Sequence, residues 1–366
     1  MKSTFALFVL AALALAGNAS ARTIYVDNRV GNDSWTGATA QPAAKDGPFA
    51  TIQPAVNLAS AGDTIVLARG SGPYPGGVIL KTSGRADAPI TLEGNDCSVV
   101  VSTDVAQGPW TFVDGKWVLD QPRVPAGTKR LNQRAVAIYQ GHPIWLRKNP
   151  KPSDVCTASV NADGQFCFQF KDNQKPPFVG LTIPMVPANN GLGFMNASFW
   201  HINNLNVFGA GNDGFNLHGR SVGNVIKNCA AFFCGDEGIS SHDTVEVKVI
   251  DSLFAFNTSS VVDINKSVTS YLRVISAYNT APGFSMAGEG GKHSITDSLS
   301  AANAGQESER NLPATTTKTS NLTYLPDESA VLDKIQAWNP RHPKLPLLIK
   351  IVASRAKGAV VAASQP

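Results

Sequence analysis

Two short stretches of the chain concentrate groups that can hold cations and move protons. GNDGFNLHG, residues 211–219, carries Asn212, Asp213, Asn216 and His218 among three glycines. GDEGISSHD, residues 235–243, follows with Asp236, Glu237, His242 and Asp243. Carboxylates are hard oxygen ligands for a cation such as calcium. Histidine titrates near neutral pH, so it can take a proton or return one. Arg220 and Lys266 add positive charge that can neutralise an anionic group. These groups match the demands of β-elimination at a uronate. The sugar carboxylate must be neutralised, a base must remove the ring proton, and an acid must protonate the leaving oxygen. Hydrolysis instead needs two carboxyls about 5–10 Å apart with one of them protonated, and Asp213/Glu237 and Asp236/Asp263 are candidate pairs. Epimerisation uses the same proton abstraction without bond cleavage.

Each residue also has a purely structural reading. A carboxylate at a turn often forms it by accepting backbone N–H groups, which applies to Asp236 and still more to Asp243. Asn257, Asn279 and Asn303 recur behind a strand and read as structural asparagines that satisfy turn amides. Gly214, Gly238 and Gly283 read as conformationally permissive turn residues. Trp110, Trp117 and Trp145 read as the core of an inserted region rather than as sugar platforms. Neither zinc-type ligand spacing nor a G-x-S-x-G elbow occurs.

The elements that must position these groups come from a repeat. DGFNLH, EGISSH, SVVDIN and PGFSMA begin at Asp213, Glu237, Ser260 and Pro282. An earlier strand precedes each one, as in NNLNVFG, IKNCAAFF, VIDSLFAFN and RVISAYN. A period near 23 residues with short strands and turn residues predicts an all-β fold, a parallel β-helix. Phe215, Leu217, Ile239, Val262, Ile264, Phe284 and Met286 are expected to face inward. Alternation then turns Asn216, His218, Ser240, His242, Asp263, Asn265 and Ser285 outward. His218 should lie against His242, with Asn265 next in the column. Asn216, Ser240, Asp263 and Ser285 should form the column beside it. On this reading His218, His242, Arg220 and Lys266 are the catalytic candidates. Asn216, Ser240, Asp263 and Asn265 are the substrate-binding candidates, and Asp213, Asp236 and Glu237 the metal ligands.

The rest of the chain divides around the repeat. Lys2, the apolar run after it and Ala19-Ser20-Ala21 read as a secretory signal over residues 1–21, so an exported protein, periplasmic or secreted and bacterial in type, is expected. That run is too short to span a bilayer, and no membrane span is expected in the mature chain. Residues 22–96 read as an N-terminal cap and the first coils, with Thr51 capping a short helix that Gly62 ends. Residues 97–185 break the period and read as a β-rich insertion. Coils resume over 186–305, and 306–366 form a polar linker and tail in which 328–338 reads as an amphipathic helix. Cys156 and Cys167 flank a hairpin-like VNADGQF and are expected to form a disulfide. Lys+Arg 31 against Asp+Glu 27 gives +4, a weak basic bias compatible with a polyanionic substrate and without a nucleic-acid signature. A monomer is expected.

DGPFATIQPAVNLASAGDTIVLARG with SGPYPGGVIL, together with the coil repeat, resembles the right-handed parallel β-helix proteins of the pectate-lyase-like superfamily. The resemblance covers residues 23–96 and 186–305 and implies a right-handed, single-stranded parallel β-helix with an N-terminal capping helix. It is similar in particular to calcium-dependent pectate lyases, which implies an acidic polysaccharide substrate and calcium. Their D-D-G-x-D loop appears here as Asn212-Asp213-Gly214-Phe215-Asn216, with only Asp213 retaining its carboxylate. Their lysine base, in a G-F-K-L-G-G-like segment, falls on Ser285. The same scaffold also hosts hydrolases, epimerases and glycan-binding proteins without turnover.

Overall fold

The computed structural model describes residues 20–124, 135–140, 142–146, 156–170, 173–184, 189–286, 290–303, 321–322 and 328–356. Residues 1–19, which hold nearly all of the expected secretory signal, lie outside them. The chain winds into a parallel β-solenoid of about 9 turns. Sheet A stacks eight strands from Thr23–Val26 to Lys292–Thr296, and sheet B stacks eight from Tyr74–Pro75 to Asn321–Leu322. Sheet C stacks six, in chain order Val78–Leu80, Leu192–Met195, Phe215–His218, Glu237–Ser241, Ser259–Asp263 and Phe284–Met286. Each coil passes through A, then B, then C, and every neighbouring pair within these sheets is parallel.

Tight turns set the period. Between sheets A and B five successive coils each place one residue in the left-handed conformation, at Asn204, Asn228, Asp251, Arg273 and Asp297. Four of the five are Asn or Asp, the residues that tolerate this region best apart from glycine. Inside, Phe215, Leu217, Ile239, Phe284 and Met286 belong to one continuous core that also includes Trp200, Phe254 and Tyr271.

The repeat slips by one residue in a single coil. Val261, not Val262, pairs with Ile239 and Phe284, and Asp263 pairs with Ser241 and Met286. Val262 is therefore outside and half-buried, against the sequence expectation. Asp263 points inward and is fully buried. The hydroxyl of Tyr271 donates to its Oδ1 at 2.8 Å, Thr269 donates to its Oδ2, and His293 Nδ1 lies 3.4 Å from Oδ2. A buried carboxylate needs such partners. They come from sheet A, so the local pattern VVDIN favours the wrong register.

Sheet B is buried on both faces. Ala231, Phe254 and Val207 face the interior, whereas Phe232, Leu253, Ala255, Ile275, Ala277 and Leu299 face outward. The outward set is covered by α2 (Glu328–Trp338) and α3 (Leu345–Ala356) through Val331, Ile335, Leu348 and Ile351. Each such buried aliphatic side chain is worth about 1.5–3 kcal/mol. The buried Lys344 anchors the start of α3, its Nζ donating to Asp96 Oδ1 at 2.7 Å.

Near the N-terminus α1 (Ile52–Leu58) buries Ile52, Ala55 and Val56 and packs on Thr23–Val26 and Val78–Leu80. Thr51 holds the N-cap position but makes no side-chain cap bond; its hydroxyl donates to Asp33 Oδ2 at 2.7 Å. The helix stops at Leu58 with Ala59 as C-cap, ahead of Gly62.

The insertion forms two four-stranded antiparallel sheets between the sheet-B strand Ser98–Val100 and the sheet-C strand Leu192–Met195. Trp110 and Trp117 pack edge-on against Phe178 in its core. The expected Cys156–Cys167 disulfide is not formed, and both side chains are buried. The hairpin register pairs Cys156 with Phe170 and Cys167 with Ser159. Three residues of offset separate the two α-carbons by about 10 Å, beyond the reach of a disulfide. No helix among the described residues is long and apolar enough to cross a membrane.

Candidate active site

The site lies on sheet C and the turns that enter and leave it. The ladder pairs Phe215 with Ile239 and Asn216 with Ser240, which aligns Asp213 with Glu237 in the entering turn and His218 with His242 at the exit. Gly214 allows this turn to close. A Cβ there would lie 2.5 Å from Ala231 Cβ and 2.6 Å from Gly238 O, so close packing is what excludes a side chain.

Three carboxyls meet at the entering turn. Asp213, Asp236 and Glu237 each place one oxygen within 4.8 Å of the others. Asp213 is buried; its Oδ1 accepts the Glu237 N–H at 3.2 Å and its Oδ2 accepts the Asn216 amide. Burial, with Asp213 and Asp236 alongside, holds the Glu237 carboxyl well above its ordinary value. Asn190 supports the cluster from the previous coil, its Oδ1 accepting from Asn212 Nδ2 at 2.8 Å and from Asp213 N at 3.2 Å. The sequence does carry a trace of this residue. Asn-Asn-Gly at 189–191, Asn-Asp-Gly at 212–214 and Asp-Glu-Gly at 236–238 are the same turn in three coils.

The cluster suits a hard cation. Oxygens that all bind one calcium at 2.3–2.6 Å lie within about 5 Å of each other. The Asn216 side chain is 3% exposed and its Oδ1 has no hydrogen-bond partner, so an uncommitted acceptor sits beside Asp213. Three carboxyls this close cannot all ionise unless positive charge is placed among them.

The two imidazoles stack at the exit. Their centroids are 4.3 Å apart and the planes differ by 10°. His218 Nδ1 lies 3.3 Å from Asp243 Oδ2, which also accepts the Gly219 N–H at 2.9 Å. His242 Nε2 is hydrogen-bonded to Ser240 Oγ. Burial, reinforced by the adjacent His218, lowers the His242 imidazole from its ordinary 6.5. The Gly219 N–H, more than His218, lowers the Asp243 carboxyl. Asp243 therefore does more than form a turn: at φ 57° it shapes the exit and also carries a histidine contact.

The expected array is only partly assembled. His218, His242, Asn216 and Ser240 share the outer face of two adjacent strands, with Asp213, Asp236 and Glu237 in the turns before them. Asp263 leaves the outer column because it faces the core, and Val262 takes its place between Ser240 and Ser285. Asn265 leaves the histidine column because the one-residue slip puts the half-buried Ile264 beside His242. Asn265 instead turns at φ 63° and donates to Asp243 Oδ1 at 3.4 Å. The Arg220 and Lys266 side chains are exposed, with no hydrogen bond or ion pair among the described residues. The insertion borders the carboxyl end, where Ala135 N donates to Gly235 O at 3.0 Å, one residue before Asp236.

No family model and no curated protein matches the chain. Solved structures do. Pectate lyase Pel9A aligns with TM-score 0.44 at 15% identity over 83% of this chain and 58% of its own. An alginate lyase from Paenibacillus sp. str. FPU-7 aligns with TM-score 0.40 at 15% identity over 78% of this chain and 69% of its own. A glycoside hydrolase aligns with TM-score 0.42 at 9% identity over 79% of this chain and 89% of its own. At these identities the likeness is one of chain course, and the chemistry rests on the residues described above.

Proposed function

We propose that the protein is an exported polysaccharide lyase that cleaves a uronate-containing polysaccharide by β-elimination at the outer face of sheet C. One observation carries this reading. Two adjacent coils bring a three-carboxyl cluster and a stacked histidine pair to opposite ends of the same strands. Asp213, Asp236 and Glu237 are the residues that would hold calcium, with Asn216 Oδ1 as a further oxygen. A bound calcium would supply positive charge against the uronate carboxylate, making the neighbouring C–H more acidic. Arg220 and Lys266, exposed at the exit turns, supply the same kind of charge from the chain itself. The histidine pair takes the ring proton and returns one to the leaving oxygen.

The test is a screen of the mature chain on pectate, alginate and other uronate polymers, with calcium and with chelator, read by the ultraviolet absorbance of unsaturated product. His218→Ala and His242→Ala should each lower the rate about 10²-fold or more, the usual scale for a lost acid or base. Binding without turnover on every polymer would leave a glycan-binding protein, which is the reading Ser285 in the lysine position favours. Reducing ends without unsaturated product would indicate hydrolysis. N-terminal sequencing of the exported protein, expected to begin near Arg22, tests the export.

A further inference from the structure

We propose that Asp63 is the receptor for the α-ammonium that removal of residues 1–21 creates at Arg22, so that export processing completes an ion pair that fastens the N-terminal end of the solenoid. This rests on the export proposed above and adds what the new N-terminus does.

The chain joins the fold at the Ala21–Arg22 bond. Ser20 and Ala21 are exposed and belong to no helix or strand. Arg22 is held through its carbonyl, its N–H and its side chain. The carbonyl accepts the Thr64 N–H at 2.8 Å, at the start of the ladder between Thr23–Val26 and Thr64–Leu67. The N–H donates to Asp63 Oδ1 at 2.9 Å. The guanidinium donates to Asp63 Oδ2 at 2.6 Å and to the Leu58 carbonyl, the last of α1, at 3.1 Å. The residue that follows Ala19-Ser20-Ala21 is therefore the first one the fold grips.

Asp63 is fixed in place to receive charge. Its own N–H donates to Ser60 O and its carbonyl accepts the Thr91 N–H, both at 3.0 Å. Its Oδ2 also accepts the Ser60 N–H at 2.9 Å, while Oδ1 faces the Arg22 nitrogen. A buried carboxylate needs a charged partner. The Asp63 side chain is 3% exposed but the Arg22 side chain is 50% exposed, so solvent weakens the guanidinium pair. In the uncut chain the nitrogen on Oδ1 is a neutral peptide group. Hydrolysis of the Ala21–Arg22 peptide bond consumes one water and leaves a carboxylate on Ala21 and an amine on Arg22, which is mostly protonated near neutral pH. The same nitrogen then becomes a cation already within hydrogen-bond distance of Oδ1. A charge-assisted hydrogen bond is roughly twice as strong as a neutral one.

The experiment compares two purified chains, one beginning at Arg22 and one at Ser20, by urea denaturation at neutral pH and low salt. It needs no substrate, and the preparation sets both N-termini, so its failure is separate from failure of the lyase reading or of export, which N-terminal sequencing tests. The chain beginning at Arg22 is expected to have a folding equilibrium constant about 5–10-fold larger. Asp63→Asn should remove this gap. Because Asp63 also holds Ser60 and the guanidinium, Arg22→Ala is the second variant: it keeps the α-ammonium, and the gap should persist. Equal stability of the two wild-type chains, a gap that survives Asp63→Asn, or a gap that vanishes in Arg22→Ala would overturn the proposal.

Discussion

Asn279→Ala is the substitution whose cost can be worked most fully from the structure. Asn279 is 2% exposed in the turn between sheets B and C, and it stands between Asn257 and Asn303 in a ladder. Its Oδ1 accepts the Asn257 N–H at 2.9 Å. Its Nδ2 donates to Phe254 O at 3.2 Å and to Asn303 Oδ1 at 2.8 Å. Alanine removes these three, with the longer Nδ2 bond to Ser276 Oγ at 3.3 Å, and leaves the buried Asn257 N–H without its acceptor. An orphaned buried donor costs about 1–3 kcal/mol, and each of the two shorter Nδ2 bonds about 0.5–1.5 kcal/mol net. The sum is about 2–6 kcal/mol, a large part of the stability of a typical domain. Equilibrium urea denaturation followed by circular dichroism reads it, with exposed Lys81→Ala as the control expected within about 0.5 kcal/mol of wild type. A loss below about 1 kcal/mol for Asn279→Ala, with an unchanged denaturant slope, would refute the claim that the ladder bonds carry the turn.

Three further outcomes follow from the same geometry. Gly219 sits at φ 68°, and a Cβ there would lie 2.2 Å from Asn196 Oδ1, which accepts the Arg220 N–H at 2.9 Å, so Gly219→Ala should lower the melting temperature in a thermal-denaturation assay. His342 is buried, with Nε2 donating to Arg273 O at 2.9 Å and Nδ1 accepting the Lys344 N–H at 3.3 Å, so only the neutral ring fits and its affinity for protons is lowered. The unfolded chain then binds the proton near pH 6.5 while the fold does not, so stability is present above that pH and lost as the pH falls below it; His342→Gln should flatten this dependence in denaturation curves at pH 5 and 7.5. Calcium should raise the melting temperature of wild type by about 2.7 kcal/mol equivalent at one hundred times its dissociation constant, and Asp213→Asn should abolish the rise in a thermal-shift assay.

The reach of the sequence depended on where each residue's partners lie. Phe215, Leu217, Ile239, Phe284 and Met286 were legible because their partners repeat one period away in the same pattern. The carboxyl cluster was legible for the same reason, since Asp213 and Glu237 occupy one turn position in consecutive coils. Asp263 was misplaced because what stabilises it inside, Thr269, Tyr271 and His293, belongs to sheet A and leaves no local mark. Cys156 and Cys167 looked paired because spacing in sequence does not reveal hairpin register. The apolar run KLPLLIKIVASRA lies inside what the sequence presents as a polar tail, because its partner is the outer face of sheet B, assembled from five coils. Gly214 was read as a turn former, whereas its need comes from the packing of Ala231 and Gly238 against it.

Elimination on a uronate polymer at the outer face of sheet C, as proposed, runs through His218 and His242. The most direct measurement is the rate of unsaturated uronate formation by the mature chain, compared with His218→Ala and His242→Ala of equal folded stability. Turnover by wild type on at least one polymer, with both variants reduced about 10²-fold or more, is the predicted result. Turnover that survives both substitutions, or no unsaturated product on any uronate polymer with or without calcium, would contradict it.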